Sequence, residues 1–441
     1  MAQVMTGFTR YTQQMPTQTR QRRFVLGPVV VLVVLAFFVL VAIGIVQAEV
    51  GPGGVLLGAL LALLPVGPVV AAFLWIDRWE PEPPHLLLSG FVWGAGVAAC
   101  IAIVLNSVAG VLLDARLGAE SGSLITVSVV APIVEEAVKG AFVVGLLLFK
   151  RREFDGITDG IVYAGITAAG FAFTENILYI GRTFGEDAQG PATLTVVILR
   201  CVFSPFAHPL FTSMTGIAAG IVAAGRRGSA SWLALPVGYV AAVLLHGLWN
   251  ASGTLGGGGG FIGVYGFVML PVFIGLIVLA VWQRRREQRT VVEQLPGFAQ
   301  AGWISPSEIT LLSSLAGRRN WRTAVRRQSG RNVEKAVARY QAAVTEMAFL
   351  RARMNRGSAG KLGALWHEEA LAELLSARLA AVGHPQALTV ALRHGGPRSG
   401  ARPGSQQQWT PPPPGPARGQ RQHYGPLPPN LPPQSWPHGP R

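Results

Sequence analysis

The segment A-P-I-V-E-E-A-V-K-G, residues 131–140, decides the fold. It lies inside an apolar run, residues 125–149, long enough to cross a bilayer at roughly 20 residues per span. Yet it carries Glu135, Glu136 and Lys139 where lipid tails belong. Ionisable groups in a span are costly to bury, so they are functional candidates by default. Glu135 and Lys139 are four residues apart, and Glu136 and Lys139 three apart, so either carboxylate can meet the ammonium on one helix face. One lysine cannot neutralise two glutamates, and one carboxylate is left without a partner on its own helix.

The rest of the chain fits a membrane setting. It has 441 residues, 50% hydrophobic and only 13% charged, with a mean hydropathy of +0.40. These values exclude an ordinary soluble protein. Eight apolar segments read as spans: 24–46, 55–76, 86–113, 125–149, 157–180, 195–224, 232–251 and 261–282. The first is too long for a removable signal peptide and lacks a small-residue cleavage site, so it reads as an anchor. The basic loops K-R-R-E-F-D-G, G-R-R-G-S and Q-R-R-R-E-Q-R fall on one side and the acidic or uncharged loops on the other. The positive-inside rule then puts both termini in the cytoplasm of a multi-pass cell-membrane protein. The net charge of +15 lies mostly in these loops and the C-terminal third. It is read as an orientation signal and not as a nucleic-acid footprint. Arginine far outnumbers lysine, and with abundant Ala and Gly that composition suggests a GC-rich bacterial source. Cys100 and Cys201 both lie in apolar segments, so no disulfide framework is expected. No internal repeat supports an inverted-repeat transporter.

The expected organisation is all-α. Residues 1–23 form a cytoplasmic segment, 24–282 a bundle of about eight transmembrane helices, 283–392 a small cytoplasmic helical module and 393–441 a tail. In the module, Val333, Val337, Tyr340, Val344, Met347 and Leu350 share one helix face. The tail is rich in Pro, Gly and Gln with almost no aliphatic content; it cannot bury a core and is expected to be disordered. The D-R-W-E-P-E-P loop, residues 77–83, reads as a rigid juxtamembrane turn.

Further polar residues fall in other spans: Glu175 and Asn176, His208, and His246 with Asn250 four residues on. At about 1.5 Å per residue, Glu135, Glu175, His208 and His246 lie roughly 8 to 20 Å below the outer edge of the bilayer. Pro205 and Pro209 bend the sixth span and bring His208 shallower. All four can share one cavity in the outer half of the membrane. Carboxylates and imidazoles there can ligate a divalent metal such as zinc, with Glu175, His208 and His246 as the expected ligands and another glutamate as base. Alternatively, a glutamate–histidine pair activates water directly, and His246 with Asn250 holds the oxyanion. Both routes hydrolyse a peptide bond, and the sequence leaves them open. Lys139 is read as a charge partner. A proton- or cation-coupled transporter is the alternative, although helices four to seven offer few polar residues toward the cytoplasmic face. A catalytically silent scaffold that signals through the cytoplasmic helices is a third reading.

The blocks A-P-I-V-E-E-A-V-K-G, D-G-I-V-Y-A-G-I-T-A-A-G-F-A-F-T-E-N-I-L-Y, H-P-L-F-T-S-M-T-G and H-G-L-W-N, with D-R-W-E-P-E-P-P-H-L-L-L-S-G-F-V-W-G-A before them, resemble the PrsW family of bacterial intramembrane proteases. The resemblance covers roughly residues 55–255. It is more distant to type II CAAX prenyl endopeptidases, whose second block ends in a histidine where this chain has Glu175. The resemblance implies Glu135 and Glu136 as essential carboxylates, Glu175 as their partner acid, and His208 and His246 as metal- or water-handling histidines. It also implies a membrane-anchored protein substrate, such as a single-span anti-sigma factor, cut on the extracytoplasmic side. It says nothing of the oligomeric state.

Overall fold

The computed structural model describes residues 26–186, 190–225, 229–255, 257–360 and 362–382. The expected N-terminal segment and Pro-rich tail lie outside them. Every regular element among the described residues is a helix. Six stretches are long and apolar enough to cross a membrane. The first, within helix α1 (Leu26–Ile76), is interrupted at Gly51, whose φ of 72° turns the chain just before Pro52, so residues 26–50 and 52–76 form two arms. Helix α2 (Pro84–Leu117) follows the juxtamembrane loop. Next come Ala119–Ile125, a wide π-type turn at Thr126–Val130, and helix α3 (Ala131–Phe149), which carries the two glutamates and the lysine. That stretch is not among the six.

Helix α4 (Ile157–Glu186) is the centre post, buried along most of its length. Its small residues let backbones meet, the usual packing device where lipid supplies no hydrophobic drive. A Cβ on Gly160 would land on the carbonyl oxygen of Gly216, and one on Gly94 of α2 would land on that of Thr167. Around this post, large apolar side chains such as Leu40, Val111, Phe149 and Phe267 face outward, as a lipid-exposed surface requires.

The sixth expected span is not one helix. Helix α5 (Pro191–Val197) runs into a π-type turn at Ile198–Phe203, the chain breaks at residues 204–206, and helix α6 (Ala207–Ala224) starts afresh. Pro205 sits in the break and Pro209 in the first turn of α6, where a proline costs no helix hydrogen bond. His208 therefore lies at a helix start. Helix α7 (Ala234–Leu255) completes the site-bearing set.

Helix α8 (Leu270–Gln300) continues without a break through residue 282 and buries Val291, Leu295 and Phe298 in a second hydrophobic core. Helices α9 (Leu315–Asn355, kinked at Gly330) and α10 (Gly363–Val382) complete that core. The expected face of Val333, Val337, Tyr340, Val344, Met347 and Leu350 is buried there. So is Trp79, reaching in from the 77–83 loop, with the Arg318 guanidinium 4.9 Å from its ring centre. Arg152 pairs with Glu346 and Glu369, and Arg353 with Asp155 at 2.8 Å, tying the module to the loop between α3 and α4. The 77–83 turn is braced by the Glu82 backbone N–H donating to Asp77 at 2.8 Å, and by Tyr163 donating to the Glu82 carboxylate at 2.6 Å. Burial pushes the Asp77 carboxyl up to about 8 against that backbone hydrogen bond, and pushes Glu82 up to about 12.

Candidate active site

Helix α3 presents three ionisable groups to one interior point because its 3.6-residue repeat puts Glu135 and Lys139 on one face, with Glu136 beside them. Lys139 and Glu136 are fully buried. The Lys139 ammonium lies 2.6 Å from Glu136 Oε1 and 3.8 Å from Glu135 Oε2, so it pairs closely with one carboxylate and loosely with the other. The Phe171 ring of α4 covers its remaining side, 4.4 Å from Nζ.

Glu136 is saturated. Oε1 also meets His246 Nδ1 of α7 at 3.0 Å, and Oε2 accepts from the Thr212 hydroxyl of α6 at 2.8 Å. A carboxylate on Nδ1 fixes the tautomer of His246 and leaves the Nε2 lone pair free. That nitrogen faces Glu135 Oε2 at 3.8 Å. Phe211 stacks on the His246 ring at 4.9 Å and holds its plane.

Glu135 is the opposite case. Oε1 accepts from Asn106 of α2 at 3.3 Å, whereas Oε2 is buried and accepts no hydrogen bond. An unsatisfied buried carboxylate oxygen is costly and calls for an explanation. The chemistry of its surroundings supplies one: Glu135, His208 and His246 each offer one ligand atom, all within 4.8 Å of one another. One carboxylate and two imidazoles are a donor set that suits zinc. The set shares both histidines with the sequence expectation but has Glu135 where Glu175 was expected. His246 is ready for such a role. His208 would give up one of two contacts, since Nδ1 meets Lys139 Nζ at 3.3 Å and Nε2 meets Glu175 at 2.6 Å.

Glu175 on α4 therefore stands behind His208, and its other contact is the guanidinium of Arg200. Arg200 also donates from Nε to Asn176 Oδ1 at 2.7 Å and lies 4.0 Å over the Tyr179 ring. A cavity lined by Asn176, Arg200, Ser204, His208 and Trp249 opens beside this group. Asn250 behaves differently from expectation: its amide donates to the Val127 carbonyl at 2.9 Å, tying α7 to the π-type turn before α3. Thr212, Asn106 and Arg200 were not singled out in the sequence. Thr212 and Asn106 give no local signal, since isolated polar residues are common in spans. Arg200 does, being an arginine inside the 34-residue apolar stretch Pro191–Ala224.

The profile of the "PrsW family intramembrane metalloprotease" matches residues 82–276. The chain is 35% identical over 160 residues to "Protease PrsW" of Clostridioides difficile (strain 630), covering 35% of this chain and 63% of that protein. It is 26% identical over 245 residues to "Protease PrsW" of Geobacillus kaustophilus (strain HTA426), covering 54% of this chain and 92% of the relative. A third "Protease PrsW", from Oceanobacillus iheyensis, is 26% identical over 237 residues, covering 53% of this chain and 99% of the relative. No solved structure matches. Every side chain of the cluster falls inside the matched segment, so the part of this chain that is similar to the PrsW family intramembrane metalloprotease is the part that carries the site.

Proposed function

We propose that this chain is an intramembrane endopeptidase that hydrolyses a peptide bond of a membrane-anchored protein, with a single-span anti-sigma factor as the substrate type. The observation that carries this reading is the convergence of Glu135, His208 and His246, from three helices, beside a carboxylate that orients His246. The relatives' names support hydrolysis over a proton relay for transport. Glu135, His208 and His246 would hold the metal, which when bound polarises the scissile carbonyl and makes a water nucleophilic near neutral pH. Glu136 keeps His246 in one tautomer and balances Lys139. The Glu175 carboxylate, its side chain partly exposed and its Oε2 against His208 and Arg200, takes the proton of the attacking water and returns it to the leaving amine.

The loop charges support a cytoplasmic location for both termini and for the module. Glu135 lies 14 residues before Phe149, or about 20 Å along α3 from the basic end. That depth supports cleavage in the outer half of the bilayer.

The test uses the full-length protein in liposomes with a single-span substrate. Wild type yields two fragments, and Glu135→Gln and His246→Ala yield none while keeping their fold in the membrane. About one metal per chain is expected in wild type and loss of it in His246→Ala. Wild type that binds no metal and releases no fragment would remove the proposal.

A further inference from the structure

We propose that Arg200 is a catalytic residue of this site: its guanidinium receives the oxyanion that forms on the scissile carbonyl. The inference rests on the peptidase reading above. As the bond from water oxygen to carbon forms, the carbonyl π pair moves onto oxygen, and a fixed donor facing the cavity must meet it. On collapse that pair returns, the C–N bond breaks, and the proton held on Glu175 passes to the amine nitrogen.

The donors that the sequence offered are committed elsewhere. Asn250 is anchored by one N–H to the Val127 carbonyl, and His246 Nδ1 is held by Glu136. Lys139 is fully buried, with its ammonium among Glu135, Glu136 and His208. Arg200 is placed differently. Its side chain is 22% exposed and lines the cavity that His208 also lines. Nε is held by Asn176, Nη2 by Glu175, and the guanidinium face by Tyr179. Those three anchors fix the fork, and Nη1 makes no hydrogen bond among the described residues. A planar fork pinned at two nitrogens presents its third at a set angle, so the donor needs no reorganisation when charge develops. The carboxylate that pins it is the proposed base, so the cation and the base share one mounting. Arg200 also sits one turn before the backbone break at residues 204–206. A second, apolar cavity of about 260 Å³ between Phe206, Trp249, Tyr265 and Met269 shares that break, and Ser204, Pro205, Ala207 and Trp249 line both cavities.

The test measures cleavage by the full-length protein in liposomes for wild type, Arg200→Ala and Arg200→Lys, with Glu135→Gln as the inactive control. Arg200→Ala should lose on the order of 10²–10³-fold in kcat with KM within about threefold, the scale of one oxyanion donor. Added guanidinium ion should restore at least part of that loss in Arg200→Ala and nothing in Glu135→Gln. Metal content and thermal midpoint are read on each variant. Should Arg200→Ala fail to fold, Arg200→Lys decides, because it keeps the charge but not the fork: its kcat should fall at least tenfold at an unchanged midpoint. Arg200→Ala within threefold of wild type, a change confined to KM, a loss that guanidinium leaves untouched, or Arg200→Lys equal to wild type each overturn the proposal. Fragments from wild type with Arg200 dispensable would leave the peptidase reading standing. No fragments from wild type would remove both.

Discussion

Removing the charge of Lys139 and then restoring neutrality separates structure from chemistry at the heart of the site. Lys139→Met keeps the length of the side chain but leaves Glu136 buried without its ammonium. At the observed 2.6 Å, two unit charges attract by about 6 kcal/mol at an effective dielectric near 20. Part of that gain is spent on desolvation. The net effect of breaking a buried pair is a destabilisation of about 3–5 kcal/mol, because the remaining charge is stranded. Replacing both partners, Lys139→Met with Glu136→Gln, leaves no bare charge at residue 136, and the losses that remain are the looser contacts of the ammonium with Glu135 at 3.8 Å and His208 at 3.3 Å. The Gln oxygen can still accept from His246 Nδ1, and its amide can meet the Thr212 hydroxyl in the reverse sense. The double variant should therefore recover most of the stability lost by the single one. It should not recover cleavage, since the His246 orientation then depends on a neutral and weaker acceptor. The assay is reversible unfolding in mixed micelles followed by tryptophan fluorescence, run beside liposome cleavage on all three variants. A double variant as unstable as Lys139→Met would show that the pair is not the principal partner of the lysine. A double variant that cuts at the wild-type rate would show that Glu136 has no part in the chemistry.

Three further outcomes are expected. Thr212→Val removes the donor to Glu136 Oε2 at 2.8 Å and should cost about 1.5–3 kcal/mol, with Thr212→Ser close to wild type; equal unfolding curves for the two would contradict the bond. Gly94→Ala should lower the melting temperature sharply, because its Cβ would meet backbone of α4 that cannot move aside, whereas Gly67→Ala, with open space around it, should not. Asp77 has a carboxyl raised from 3.8 to about 8 by burial, so the folded state holds its proton where the unfolded chain has released it. That contribution is fully present below about pH 4 and is lost as pH rises toward 8. Asp77→Asn should therefore flatten the pH dependence of the melting temperature over that range and be the more stable form at pH 8.5; a wild-type curve that rises with pH there would refute the assignment.

The positions of Glu135, Glu136, Lys139, Glu175, His208 and His246 were readable because a charge inside an apolar run is expensive whatever the fold. Which of them touch was not readable. Spacing along α3 allowed the lysine to choose either glutamate, and only the arrival of Thr212 and His246 from other helices settles that Glu136 is the saturated one. The partner of Asn250 was hidden for the same reason: four residues from His246 puts two polar tips on one face, and nothing local shows that its amide also reaches the Val127 carbonyl of the wide turn before α3. Arg200 could have been found by the burial argument that found the glutamates. The module's apolar face showed in its periodicity, since heptad-like spacing survives any tertiary context; the insertion of Trp79 into it did not, because nothing local marks a loop side chain for a distant core.

That tryptophan makes the two bodies a single folding problem. With its indole seated among α8, α9 and α10, the short turn after the second arm of α1 acts as a plug on a tether. A chain shortened after residue 282 would leave the plug bare to water, and the released module would keep the socket. Anyone grafting the C-terminal region onto another relative, or expressing it alone, would need to supply an indole-sized filling, and its absence would be felt as aggregation before any loss of catalysis was noticed.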